Sequence, residues 1–145
     1  MRPWAVVASW LRRFFPASSP PTLGQRGEDA AARFLRRKGY RILARTDRSR
    51  SGELDLVALD EDTLVFVEVK TRHSADAGHP AEAVDTAKQR RLTRLAVTWL
   101  KRRGLLEHRA RFDVIAVTWP DTQRRPTIEH FLGAFEAVGK WEFYS

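Results

Sequence analysis

Three charged residues in one short stretch have the types and spacing of a metal-dependent hydrolytic site. Asp55 lies in the segment GELDLVA, and Glu68 and Lys70 follow in the segment FVEVK. Carboxylate oxygens are the ligands that Mg²⁺ and Mn²⁺ prefer in proteins. A neighbouring lysine can orient a water and neutralise an attacked phosphate. An acid pair beside a lysine can thus serve metal-dependent attack on a phosphate, if the fold brings the three together.

An antiparallel hairpin would bring them together. Residues 53–59 and 64–70 are strand-forming runs on either side of a polar tetrad, which is typical of a hairpin. A turn centred between Glu61 and Asp62 fixes which residues face each other. The predicted pairs are Leu54 with Val69, Leu56 with Val67 and Ala58 with Val65 on an apolar side, and Leu59 with Leu64, Val57 with Phe66, Asp55 with Glu68 and Glu53 with Lys70 on the other.

Two readings of the charged side of this hairpin follow from the spacing. Directly opposed carboxylates such as Asp55 and Glu68 destabilise a sheet unless they share a cation or a proton. A solvated face is the alternative, in which Glu53 and Lys70 form a simple cross-strand ion pair. The spacing by itself leaves both readings open.

The ordered series of motifs resembles a known family. The series comprises Gly24-Gln25-Arg26-Gly27-Glu28, Ala31, Leu35, Gly39-Tyr40, GELDLVA, FVEVK, Lys88 and Arg111-Phe112-Asp113-Val114. It is similar to the bacterial YraN-type family, which is largely uncharacterised and related to Holliday junction resolvases of the PD-(D/E)XK nuclease superfamily. Leu54 stands where the superfamily's name has proline. The resemblance covers most of the chain.

The resemblance implies a fold, an activity and roles for four residues. The implied fold is α/β, a restriction-endonuclease-like mixed β-sheet flanked by helices. The implied activity is DNA cleavage, including branched DNA, with Asp55, Glu68 and Glu28 holding Mg²⁺ or Mn²⁺ and Lys70 orienting the water. For Glu28 a second reading stays open, a helix-start glutamate favoured by the helix dipole. A homodimer would supply two sites for symmetric cutting.

Charge is strongly segregated along the chain. The net charge of the 145 residues is +8. Residues 1–50 hold 12 Lys/Arg against 3 Asp/Glu, residues 51–87 hold 2 against 9, and residues 88–111 hold 9 against 1. An acidic hairpin between basic segments is typical of a carboxylate site beside phosphate-binding surfaces. The predicted nucleic-acid contacts are Arg48, Arg50, Arg72, Lys88 and Arg91.

The pattern along the chain predicts one nuclease-like domain, residues 23–145, after an extension and Pro/Ser-rich linker in residues 1–22. Helices are predicted at 23–38 and 86–103, strands at 40–45, 111–119 and 127–131, a loop at 46–51 and a tail from 136. A sheet with helices on its faces follows from this order. The apolar run within residues 1–15 is too short to span a bilayer. For these residues we favour a loosely packed extension over contact with a membrane surface.

The cysteine and histidine content excludes some kinds of site. The chain has no cysteine, which excludes disulfides and fits a cytoplasmic location. Its four histidines show no metal-ligand spacing, so we expect surface or loop positions for them. No small-molecule cofactor is indicated. A nucleic-acid-binding adaptor with this fold but no catalysis remains the alternative to a nuclease.

Overall fold

The computed structural model describes residues 19–74, 76 and 78–139, so the predictions for residues 1–18 and for most of the tail lie outside the described part. The elements are α1 (Leu23–Arg37), β1 (Arg41–Ser49), β2 (Gly52–Asp60), β3 (Thr63–Arg72), a 3-10 turn (Pro80–Ala83), α2 (Thr86–Arg102), β4 (Ala110–Thr118) and β5 (Thr127–Phe135). They form a mixed α/β fold, compatible with a restriction-endonuclease-like domain. No helix in the described ranges is long and apolar enough to cross a membrane.

The sheet has the order β1-β2-β3-β4-β5. Neighbouring strands are antiparallel except β3 and β4, which run parallel and are connected through α2. These directions place the start of β2 and the ends of β3 and β4 at one end of the sheet. We call this the site end, because the candidate residues lie there.

Local sequence fixes where both helices begin and end. Thr22 and Gln25 form a capping box at the start of α1, and Asp85 accepts the backbone N–H of Lys88 at the start of α2. Gly39 and Gly104 follow the C-caps with positive φ values of 94° and 67°, which glycine adopts without strain. Both helices therefore end within one residue of their predicted limits.

Two apolar layers cover the two faces of the sheet. The α1 layer contains Ala31, Leu35, Leu56, Ala58, Val65, Val67, Ile115 and Val117, with neighbours, and the α2 layer contains Leu54, Val57, Phe66, Leu92, Leu95, Trp99, Phe112 and Val114, with neighbours. The predicted apolar side of the hairpin is confirmed for Leu56 and Ala58. It is wrong for Leu54, which packs in the α2 layer together with Val57. Strict two-residue alternation therefore fails in β2 between Leu54 and Val57.

The predicted hairpin register is confirmed from Leu56 to Asp60, with the turn at Glu61 and Asp62. The predicted loop at 46–51 is wrong, because β1 continues to Ser49 and pairs with β2 as far as Gly52. The polar composition of residues 46–49 is typical of a loop, but pairing with β2 gives their backbone the hydrogen bonds of a strand. The edge strand β5 also extends beyond its predicted end.

A buried polar network lies in the α1 layer at the opposite end of the sheet. Asp113 is 0% exposed and accepts hydrogen bonds from Arg111, from His130 and from the N–H of Gly133. Arg111 also donates to Tyr40 and Asp60. The expectation of a surface or loop position is therefore wrong for His130, whose side chain is 3% exposed. This satisfied network joins β5 to the sheet and holds it in place.

Candidate metal centre

The strands β2 and β3 separate just before the first candidate ligand. Their pairing stops at Leu56, and the Oδ2 atom of Asp55 accepts the backbone N–H of Val69 at 2.8 Å. The predicted direct pairing of Asp55 with Glu68 is thus not part of the ladder. The separation follows from competing partners, because the start of β2 pairs with β1 while β3 continues along β4. The Asp55 carboxylate lies toward β3 where the backbone pairing ends, and it takes the place of a backbone acceptor for Val69.

This position makes Asp55 costly to ionise. Burial, and then the negative charges of Glu68 and Glu28, raise its pKa to about 7 against the opposing effect of the Val69 hydrogen bond. Three carboxyl groups that repel one another in a partly buried place are what a cation would relieve. A strongly raised pKa of this origin is typical of functional sites.

Glu28 reaches the centre because α1 lies unusually close to β3. A Cβ atom on Gly27 would stand 1.8 Å from the Oγ1 atom of Thr71, so only glycine fits at this crossing. The next residue, Glu28, accepts a hydrogen bond from the Thr46 hydroxyl at 2.8 Å. Thr46 has a φ of 47°, which a β-branched residue rarely adopts. The strained backbone of Thr46 and the close packing at Gly27 thus both adjoin Glu28 and fix its position.

Glu28, Glu53 and Asp55 can each offer one oxygen such that all three oxygens lie within 4.8 Å of one another. The donor set is entirely carboxylate, which suits Mg²⁺ or Mn²⁺. These residues therefore fit the predicted metal chemically. The sequence did not identify Glu53 as a member of this carboxylate cluster. Its predicted partner is also wrong, because Glu53 accepts from the Nε atom of Arg48 at 2.8 Å rather than facing Lys70.

Glu68 is neutralised by two lysines. It is 8% exposed, and its Oε1 atom contacts the ammonium groups of Lys70, at 3.3 Å, and of Lys88. Burial and the nearby Lys88 lower the pKa of Lys70, against the attraction of Glu68. Burial acts to lower the pKa of Lys88 as well, but its bonds with Glu68 and Lys70 outweigh this and raise it. The two lysines thus differ: Lys88 holds its proton, and Lys70 releases its proton more readily.

The other predicted nucleic-acid contacts lie at the site end but differ in availability. Arg48 pairs with Glu53 while its side chain stays 75% exposed. Arg50 and Arg91 are exposed and carry no ion pair within the described residues. Arg72 is engaged, since its Nη1 atom donates to the Gly78 carbonyl at 2.7 Å and anchors the loop after β3.

Comparison with known proteins identifies the family. The sequence profile described as "Uncharacterised protein family UPF0102" matches residues 27–117, and the chain belongs to this family, which is the YraN-type family. A UPF0102 protein of Rhodopirellula baltica is 49% identical over 143 residues, covering 95% of this chain and 86% of that protein. A UPF0102 protein of Geobacter sulfurreducens is 54% identical over 116 residues, covering 79% and 88%. A third, from Symbiobacterium thermophilum, is 57% identical over 95 residues, covering 66% and 80%.

Proposed function

We propose that this protein is a metal-dependent endonuclease that hydrolyses phosphodiester bonds in DNA, including branched recombination intermediates. One observation carries the proposal. The carboxylates of Glu28, Glu53 and Asp55 converge beside Glu68, and two lysines lie on Glu68 at the same end of the sheet. Both helices also begin there, so the positive ends of their dipoles favour an incoming phosphate.

The roles of the residues follow from their surroundings. Asp55, Glu28 and Glu68 would hold Mg²⁺ or Mn²⁺, with Glu53 as a further oxygen donor. The bound ion would supply Lewis acidity toward the phosphate and a water of lowered pKa. Lys70, whose own pKa is lowered, would orient the attacking water and stabilise the charge that develops on the phosphate.

The nucleic-acid contacts in this proposal come from basic residues around the site. Arg48, Arg50 and Arg91 have exposed charges that can reach phosphates, and Lys88 lies partly exposed beside Glu68. Arg72 would act through the loop that it anchors. Such contacts set the register of the backbone rather than the sequence preference.

A non-catalytic nucleic-acid-binding adaptor is the second candidate, and one observation favours it. Glu68 already has two cationic partners, so its charge is compensated without any metal. In this case the lysine pair and the arginines would bind phosphates and the carboxylates would serve the fold. The two candidates differ in whether bonds are broken when metal is added.

Cleavage of labelled DNA tests the proposal. Linear duplex, flapped and four-way-junction DNA are incubated with Mn²⁺ or Mg²⁺ and with the wild-type protein or the Glu68→Ala variant. We expect metal-dependent cutting by wild type that the variant loses. The matched control is Glu129→Ala, which removes an exposed carboxylate of β5 and should cut like wild type.

The same panel separates the two candidates. DNA binding in chelator without cleavage of any of the three substrates, with either metal, would move the assignment to the adaptor. Cutting that persists in Glu68→Ala would refute the site assignment. The preferred substrate would then distinguish a resolvase from a flap or general endonuclease, and sedimentation would show whether the active species is the predicted homodimer.

A further inference from the structure

The helix α1 carries its charges on two different sides. Its two acidic residues face β1, where Glu28 bonds to Thr46 and Asp29 pairs with Arg45. Three arginines at positions 26, 33 and 37 follow a spacing of seven and four residues, which places them along one side of a helix. The structure puts this side toward β5 and the turn before it. Asp29, four residues before Arg33, borders this side but pairs with Arg45 of β1.

This basic side borders an open groove. A cavity of about 540 Å³ is lined by Ala30, Arg33, Arg37, Arg125, Pro126 and Ile128. Arg26 continues the row, with its guanidinium 4.0 Å from the centre of the Trp119 ring. We name Arg26, Arg33, Arg37 and Arg125, together with the cavity that the last three of them line, the arginine groove.

The charge of the groove is uncompensated in the described part of the chain. Arg33, Arg37 and Arg125 are exposed, and no carboxylate of the described residues forms a salt bridge with any of the three. The nearest acidic residue of β5, Glu129, stands between Ile128 and His130, whose side chains face α1. Alternation along a strand turns Glu129 to the other face of the sheet. The residues that line the groove therefore include cations and no carboxylate, and the bordering Asp29 is paired with Arg45.

The groove begins at the site end of the sheet. Arg26 lies two residues before Glu28, and Trp119 donates its backbone N–H to the carbonyl of Arg72 at 2.7 Å. From Arg26 to Arg37 the helix rises by about 16 Å. Phosphates of one DNA strand are spaced by about 3.4 Å along the duplex axis. A row laid parallel to the duplex axis would thus extend over about five phosphate steps of one strand, leading away from the metal centre.

We propose that the arginine groove binds the phosphate backbone of a duplex DNA arm adjoining the cleaved bond. This surface includes none of the contacts assigned above, and the inference rests on the proposed function for the identity of its substrate. Guanidinium groups bind phosphate oxygens in bidentate fashion, and the groove offers them with no carboxylate among its lining residues. It would fix the direction in which the DNA leaves the site.

The salt dependence of DNA binding tests this assignment without cleavage. Binding of a fluorescent linear duplex is measured by anisotropy in EDTA at several salt concentrations, for wild type and for a double variant, Arg33→Gln with Arg37→Gln. The matched control is Arg36→Gln with Arg41→Gln, which removes the same charge from exposed positions outside the groove. Thermal unfolding confirms that both variants fold.

Log K falls as log salt rises, and each lost phosphate contact reduces the steepness of this fall by about 0.9. We expect the slope of the groove variant to be shallower than that of wild type by about 1.8, and that of the control to change by less than half as much. Equal changes in the two variants would overturn the proposal, because they would indicate general electrostatic attraction. If wild type binds polyglutamate instead of DNA and the groove variant loses that binding, an acidic polypeptide is the occupant and the proposal is wrong.

The result is independent of nuclease activity. DNA binding through the groove with no cutting in any metal would remove the nuclease proposal and leave the groove assignment intact. If the protein cuts DNA in a metal-dependent manner but the groove variant keeps the wild-type salt slope, the nuclease proposal stands and the groove assignment is removed.

Discussion

Replacing Asp55 by asparagine should stabilise the metal-free protein at high pH. The pKa of Asp55 is raised from 3.8 to about 7, chiefly by burial and then by Glu68. The folded protein thus keeps a proton on Asp55 that the unfolded chain gives up. This proton contributes stability that is complete below pH 3.8 and is lost as the pH rises through about 7.

The size of the effect follows from the shift. One pKa unit corresponds to about 1.4 kcal/mol, so wild type should lose roughly 3 kcal/mol relative to Asp55→Asn between about pH 5 and pH 8. Asparagine keeps an oxygen that can accept the Val69 N–H, so little hydrogen bonding is lost. With a urea m-value of ~1–3 kcal/mol/M, the difference between the two midpoints should change by about 1 M or more.

The assay is urea unfolding in EDTA at several pH values, followed by circular dichroism. Asp121→Asn, at an exposed aspartate in the turn before β5, is the control and should track wild type at every pH. A stability difference between Asp55→Asn and wild type that stays constant across this pH range would refute the reasoning. Saturating Mn²⁺ should reverse the order, because it stabilises only a chain that binds it; a thousandfold excess over Kd adds about 4.1 kcal/mol.

Two further changes test how the centre is assembled. Lys88→Met should raise Mn²⁺ affinity by at least about tenfold, because it frees Glu68 from an ammonium group that competes with the metal. Calorimetry measures this affinity, with Lys101→Met, at an exposed lysine of the same helix, as the control. Unchanged or weaker Mn²⁺ binding by Lys88→Met would contradict the prediction. Gly27→Ala should destabilise the fold by about 1–3 kcal/mol, since the new Cβ would overlap the Thr71 side chain. Partial rescue by Thr71→Gly, seen in thermal unfolding, would locate the clash, and wild-type stability of Gly27→Ala alone would exclude it.

The elements with strong local signals could be predicted from the sequence. The hairpin follows from two strand-forming runs around a polar turn, and the caps at Thr22, Gly39 and Gly104 fix the helices. These features depend on residues near one another in the chain. The arrangement of charges at the end of the hairpin could not be predicted in this way. Cross-strand partners are assigned from the position of the turn, which assumes that the two strands stay paired along their whole length. Here β2 follows β1 and β3 follows β4, so Asp55 moves out of register.

Other parts of the centre depend on contacts between distant segments. Glu53 joins Glu28 only once α1 packs on β3, and the Asp113–His130 bond closes over seventeen residues between adjacent strands. One signal was available in the sequence: Asp113 interrupts the apolar run FDVIAV, and a lone buried carboxylate needs partners. The identity of those partners requires the fold.

Single-turnover cleavage by Lys70→Met tests the central claim most directly. Wild type and the variant are compared with Mn²⁺ and the DNA that wild type cuts best, after calorimetry and anisotropy have shown that both proteins bind metal and DNA. The account predicts that the variant binds both ligands but cuts at least about a hundredfold more slowly, as expected for the loss of a positioned catalytic group. Cutting at the wild-type rate by Lys70→Met, or no cutting by wild type with both ligands bound, would contradict it.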